Sequence, residues 1–197
     1  IDPQSSGIAG NMIIGALVDL GANPDNLKEI MEKSAEEFGK VEVTFEKVVK
    51  HGIDSTFCHV EMIENKPAIP YPEFIAKIES LDLDEKVKET SLKVFERIGE
   101  AEAKVHGKSL DEIHFHEVGA SDAVADVIGS IYAYYSLNLD KQKIIGLPIA
   151  VGGGRVNTAH GTIPVPAPAV VEILKDAKMV GGPVESELAT PTGSAIY

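Results

Sequence analysis

The chain has 197 residues, a net charge of −13 and 44% hydrophobic residues, values of a globular protein able to bury a sizeable core in one domain or a main domain with a small insertion. The acidic balance is a poor match for nucleic acid or anionic membrane, where clustered Lys and Arg supply the binding energy, and a better match for cations, although the same charge also keeps a protein soluble. The single cysteine, Cys58, excludes an internal disulfide and a thiol-rich metal site; with no apolar run near ~20 residues, a cytoplasmic, reducing setting and no membrane partner are expected.

Ile1-Asp2-Pro3 reads as the end of a strand. Gln4-Ser5-Ser6-Gly7-Ile8-Ala9-Gly10 is a small-residue loop that opens a helix from about Asn11 to Leu20. Met12, Ile13, Ala16, Leu17 and Leu20 form its apolar face and Gly21 stops it. Such a loop at a helix N-terminus exposes backbone N–H groups at the positive end of the dipole, which suits an anion; an ordinary capped turn has the same sequence. Asn23-Pro24 is an N-cap followed by Pro at the first helical position, and the helix is expected to run to about Phe38. Val41–Lys50 and Ser55–Glu64 alternate as two strands of a hairpin, with His51 in its turn and His59 in its second strand. Neither histidine has a partner at ligand spacing, so both read as structural or solvated.

Pro67, Pro70 and Pro72 precede a short helix from Glu73 to about Leu81. A longer helix follows from Asp84 to His106, ended by Gly107, and its apolar positions keep the helical period. The segment 72–107 reads as a helical subdomain, a packing arm or lid, and His106 as a partner of the helix C-terminal dipole.

The stretch 113–129 concentrates the chemistry. Along a strand, His114 and His116 point one way and Phe115 and Glu117 the other. Along the following helix, Asp122 and Asp126 lie one turn apart on a shared face. Asp122 also suits a capping role, and Asp126 is expected to be partly buried and to need a partner. An isolated His-x-His equally fits two core histidines. With the carboxylates behind it, and His160 and Glu187 in rigid loops, it fits a divalent transition metal in a thiolate-free site: nickel, zinc, iron or manganese.

Lys143–Val151 reads as a buried strand, and Gly152-Gly153-Gly154 as a place where backbone approaches a ligand or bulges. His160 sits in a Gly/Pro-walled loop before a helix from about Ala167 to Lys175. Glu187-Leu188-Ala189-Thr190-Pro191-Thr192-Gly193 is a second hydroxyl-rich loop at a helix start and a second candidate oxyanion or phosphate cradle. The P-loop, Rossmann, nucleophile-elbow and HExxH patterns are absent. The fold class expected is α/β (α+β), with a mixed sheet flanked by helices.

His114-Phe115-His116-Glu117-Val118-Gly119-Ala120 with Asp122 and Asp126 resembles the signature of the LarC-type nickel insertion proteins. So do Ser6-Gly7-Ile8-Ala9-Gly10-Asn11-Met12, the segment from Ala159-His160-Gly161 to Pro168, and Glu187 to Gly193. The resemblance spans residues 2 to 195. It departs at Ala9 and Asn11, where the family commonly has Ser and Asp. It implies one N-terminal nickel-insertion-type domain over 1–197, with a C-terminal domain outside it on which this segment's activity depends.

The activity implied is that of a lyase-class nickel chelatase completing the nickel-pincer nucleotide cofactor. Nickel enters pyridinium-3,5-bisthiocarboxylic acid mononucleotide with formation of nickel–sulfur and nickel–carbon bonds. CTP with magnesium or manganese, acting through the C-terminal part, is implied as well. So are a small-molecule nucleotide substrate, a homo-oligomer, and transfer of the product to a nickel-pincer-dependent enzyme. Carried residue by residue, the metal falls to His114, His116 and His160, and the catalytic set is His114, His116, Glu117 and Asp122. Ser5, Ser6, Gly7, Gly10, Thr190, Thr192 and Gly193 hold the phosphate or a carboxylate-type group. A carboxylate or histidine takes the ring proton as the nickel–carbon bond forms. Two other functions fit the residues: a non-catalytic metal-binding or assembly module, and a metal-dependent hydrolase of a small phosphorylated substrate.

Overall fold

A computed structural model describes residues 1–115, 120–158 and 161–197. Helix α1 spans Gly10–Asp19 and α2 Pro24–Ala35. The Asn23 side chain caps α2 by accepting the N–H groups of Asp25 and Asn26 at 2.9 and 3.0 Å, as its position before Pro24 predicts. Strands β1 (Gly39–Lys50) and β2 (Ile53–Asn65) pair antiparallel. Their turn is two residues long, and His51 and Gly52 both have positive φ, 50° and 80°. That backbone twists with the strands and closes a long hairpin tightly. Val41, Val43 and Cys58 are buried on its inner face.

Helix α3 (Tyr71–Ser80) leads to α4 (Glu85–His106). Asp84 caps α4 through the Lys86 N–H at 3.0 Å, and Gly107 ends it with φ 62°, a left-handed conformation that glycine adopts without steric cost. His106 lies in the last turn, with Nε2 3.4 Å from a Glu102 carboxylate oxygen. The α4 row Val87, Ser91, Val94, Phe95 and Ile98 is buried against α3, α5 (Ser121–Ser136), α6 (Pro168–Ile173) and α7 (Pro191–Ile196).

Helix α5 (Ser121–Ser136) is the element around which the rest is arranged. It touches α1, α2, α4, α7 and both hairpin strands. Such a helix has no solvent face of usual width, and Ala123, Val124, Ala125, Val127, Ile128, Ile131 and Ala133 are all buried. One cluster, with Phe74, Phe95, Phe115 and Ile128, lies toward α3 and α4. The Phe74 ring sits 4.9 Å from those of Phe38, Phe95 and Phe115, in the tilted and edge-on geometries that aromatic quadrupoles favour. A second cluster, with Ile14, Leu27, Met31, Val43, Ala125 and Ala133, lies toward α1, α2 and the hairpin.

The remaining strands are short. Strand β3 (Ile149–Ala150) pairs in parallel with β6 (Met179–Val180), and β4 (Arg155–Thr158) pairs antiparallel with β5 (Gly161–Pro164). The fold is therefore of the mixed α/β class, its strands arranged among the described residues as three two-stranded sheets.

Four local expectations change. Met12 and Leu20 are exposed, because α1 rests on β2 and α5 through Ile14 rather than through a wide apolar stripe. Only Ile149–Ala150 of the expected strand 143–151 is regular, and Ile144, Ile145 and Leu147 are exposed, because β6 offers just two residues to pair with. Ile1–Pro3 runs along that segment without forming a named strand: Ile1 donates to the Ile145 carbonyl, and Leu147 and Ala150 donate to Ile1 and Pro3. The glycine run meets its own chain: a Cβ on Gly152 would lie 1.8 Å from the Ser186 carbonyl oxygen.

Candidate functional site

The two small-residue loops, far apart in sequence, lie against each other. Ile8 donates its N–H to the Leu188 carbonyl at 2.8 Å, and Thr190 donates to the Ile8 carbonyl at 3.0 Å. Both motif glycines serve this contact. A Cβ at Gly7, where φ is 72°, would lie 2.0 Å from the Leu188 oxygen, and one at Gly193 would lie 2.5 Å from the Ile8 oxygen. The Thr190 hydroxyl accepts the Gly193 N–H at 3.1 Å and so caps α7.

Where these loops meet α5 and β2 there is a cavity of about 520 Å³. Gly10 and Asn11 line it from the start of α1, and Asp122 and Asp126 from the first two turns of α5. Thr192 contributes from α7, Thr190 from its N-cap, Glu187 from the loop before it, and Asn157 and Thr158 from β4. The shared face read from the i, i+4 spacing of the two aspartates thus points into a ligand-sized space. No Lys or Arg is among its described lining residues.

Asp126 is the unusual group here. It is largely buried, and its Oδ1 has no hydrogen-bond partner among the described residues. Its Oδ2 sits at the α1 N-terminus, where a Cβ on Gly10 would approach to 2.5 Å. Burial raises its pKa to about 7; the nearby charge of Asp122 adds to the rise, and the Asn11 backbone N–H opposes it. The N-terminal end of α1, expected to face a bound anion, thus faces the chain's own carboxyl group. Asp122 accepts the Ala123 N–H at 2.8 Å within its own helix. Cys58 is buried beside this site, and its thiol is pushed up to about 12, first by burial and then by Asp126, so it stays protonated at neutral pH and is a poor metal ligand. The Asn11 amide donates to the Cys58 carbonyl at 3.4 Å, a bond that an ionised Asp at position 11 could not make.

The other expected site residues fall as follows. Ser5 and Ser6 are exposed and outside the cavity lining, and Gly7 packs under Leu188. His114 is exposed between buried Ile113 and Phe115, pairs as a β-bridge with Pro70, and is not in the cavity lining. The strand expected from Ile113 is limited, among the described residues, to that bridge. His116, Glu117 and His160 lie outside the described residues. Among the described residues no group of three or more His, Cys, Asp or Glu is arranged to hold a metal ion. His59, read from the sequence as structural or solvated, lines the cavity with its ring stacked 6.0 Å from that of Phe57. No local motif marks it. Its position follows from α1 docking tightly on β2, where a Cβ on Gly15 would lie 2.3 Å from the Thr56 carbonyl oxygen.

No helix among the described residues is long and apolar enough to cross a membrane. No solved structure matches the chain. A relative of the nickel insertion type from Methanosphaera stadtmanae is 49% identical over 204 residues, covering 100% of this chain and 50% of that protein. Two relatives are named pyridinium-3,5-bisthiocarboxylic acid mononucleotide nickel insertion protein. The one from Desulfitobacterium hafniense is 42% identical, covering 97% of this chain and 46% of its own length. The one from Staphylococcus epidermidis is 42% identical, covering 96% and 47%. The chain spans about half the length of the curated relatives it matches. The family model described as nickel insertion protein matches residues 1–197, and the chain belongs to that family.

Proposed function

We infer that this chain provides the site at which nickel enters pyridinium-3,5-bisthiocarboxylic acid mononucleotide, as part of a lyase-class, metal-inserting enzyme of cofactor biosynthesis. The observation that carries this reading is the cavity in which the family's opening loop, the α5 aspartates and the 187–193 motif meet. Its size suits a mononucleotide. Its acidic lining, without Lys or Arg among the described residues, favours an anionic ligand only together with a metal cation. Nickel, as substrate, is received by His114, which is exposed outside the cavity lining, with His116 and His160, and passes to the two thiocarboxylate sulfurs of the nucleotide in the cavity, softer ligands than imidazole. Glu117 and Asp122 support the transfer. From the cavity wall, Thr190 and Thr192 hold the phosphate end of the nucleotide. CTP with magnesium or manganese, a homo-oligomer, a cytoplasmic setting and delivery of the product to a nickel-pincer-dependent enzyme complete the proposal.

Two experiments test it. The protein, supplied with nickel, the thiocarboxylated mononucleotide, CTP and magnesium, is expected to yield the nickel-containing nucleotide by mass spectrometry. Nickel titration of a His114→Ala/His116→Ala variant is expected to show at least tenfold weaker binding; unchanged affinity removes these two ligands.

A further inference from the structure

Two thiocarboxyl groups at ring positions 3 and 5 both flank carbon 4. A nickel(II) ion held by one sulfur of each therefore lies in the ring plane against the C4–H bond. When the nickel–carbon bond forms, the C–H electron pair becomes the bond to nickel, nickel remains divalent, and one proton must leave. No oxidant is needed, but a base is.

We propose that Asp126 is that base: its buried carboxylate, in the wall of the cavity and with one oxygen unpartnered among the described residues, accepts the C4 proton. This rests on the nickel-insertion reading above. The described groups around it are less suited to the task. Asp122, from the preceding turn of α5, already accepts the Ala123 N–H. Cys58 on β2 holds its proton at neutral pH. His59, also on β2, is exposed at the cavity wall, and Glu187 comes from the facing loop. Asn11, from α1, is neutral. Asp126 combines an acceptor oxygen unpartnered among the described residues with a proton affinity near that of the surroundings at pH 7, the condition under which a carboxylate both takes and releases a proton efficiently. Gly10 fits the role as well, since any side chain there would push the carboxyl group from its place.

The test uses the protein and its Asp126→Asn variant with nickel, CTP, magnesium and the mononucleotide deuterated at C4. Deuterium loss and nickel incorporation are followed by mass spectrometry, and nickel binding by titration. The variant is expected to bind nickel as the parent does, to retain the deuterium, and to form product at least ~100-fold more slowly, the usual scale of general-base catalysis. An Asp126→Glu variant, which keeps the carboxylate, is expected to recover part of the rate, and thermal unfolding of both variants reports whether they fold. Deuterium loss at the parent rate in Asp126→Asn overturns the assignment. So does loss of nickel binding, which would make Asp126 a ligand. If the parent protein itself incorporates no nickel, the nickel-insertion reading fails first and the base falls with it, a result distinct from failure of the variant alone.

Discussion

Gly10 and Asp126 fit each other as backbone and carboxyl: a Cβ added at residue 10 would stand 2.5 Å from Asp126 Oδ2 and 2.6 Å from Asp126 Cβ. Rotating the Asp126 side chain cannot relieve the second contact, because Cβ is fixed by the α5 backbone. Gly10→Ala must therefore push α1 away from α5. A loss of about 1–3 kcal/mol is expected, in the range of overpacking a close-packed interface, with a matching loss of cavity function. Urea denaturation compared with the parent measures it.

Asp126 makes stability depend on pH in a direction opposite to that of a salt-bridged carboxylate. Its folded-state pKa lies near 7 against an ordinary 3.8. Between these values the folded chain holds a proton that the unfolded chain has released, so raising the pH favours unfolding. The stabilisation is fully present below about pH 4, declines through pH 7 and is then gone, a loss of up to about 4 kcal/mol from this group. Chemical denaturation at a series of pH values is expected to show this decline in the parent and to show it flattened in Asp126→Asn.

Phe74 joins the aromatic cluster through three ring contacts and is fully buried. Phe74→Ala leaves a cavity among Phe38, Phe95 and Phe115, with an expected cost of about 3–5 kcal/mol. Thermal unfolding checks it. A Phe74→Leu variant should recover much of the difference.

Gly152 has φ 87° and faces the Ser186 carbonyl oxygen, where a Cβ would lie at 1.8 Å. Gly152→Ala is expected to combine backbone strain of about 1–3 kcal/mol with displacement of the 186–188 backbone. Because Glu187 lines the cavity, the variant should lose ligand binding by more than it loses stability. Comparing urea midpoints with nucleotide affinity separates the two effects.

The local signals that were legible are those whose physics is local. Asn23-Pro24 sets the start of α2, the hairpin turns at His51 although its turn is two residues rather than the four between the expected strands, and Gly107 ends α4, each within a few residues of its cause. The strand expected over 143–151 failed because strand formation needs a partner of equal length, and β6 supplies two residues. The site was legible as a set of residues and not as an arrangement. The 5–10 and 187–193 motifs were read as two separate cradles, yet Gly7 and Gly193 are required where the two loops pack on one another. The i, i+4 spacing gave the common face of Asp122 and Asp126. It could not say that this face meets the α1 N-terminus, because that contact depends on how α1 docks across α5 and β2.

The most direct measurement is anomalous scattering at the nickel edge from crystals grown with nickel and the thiocarboxylated mononucleotide. A nickel peak inside the cavity bounded by Asn11, Asp122, Asp126 and Thr192, with the nucleotide beside it, is the expected result. Ordered nickel and nucleotide bound elsewhere, with this cavity empty, would contradict it.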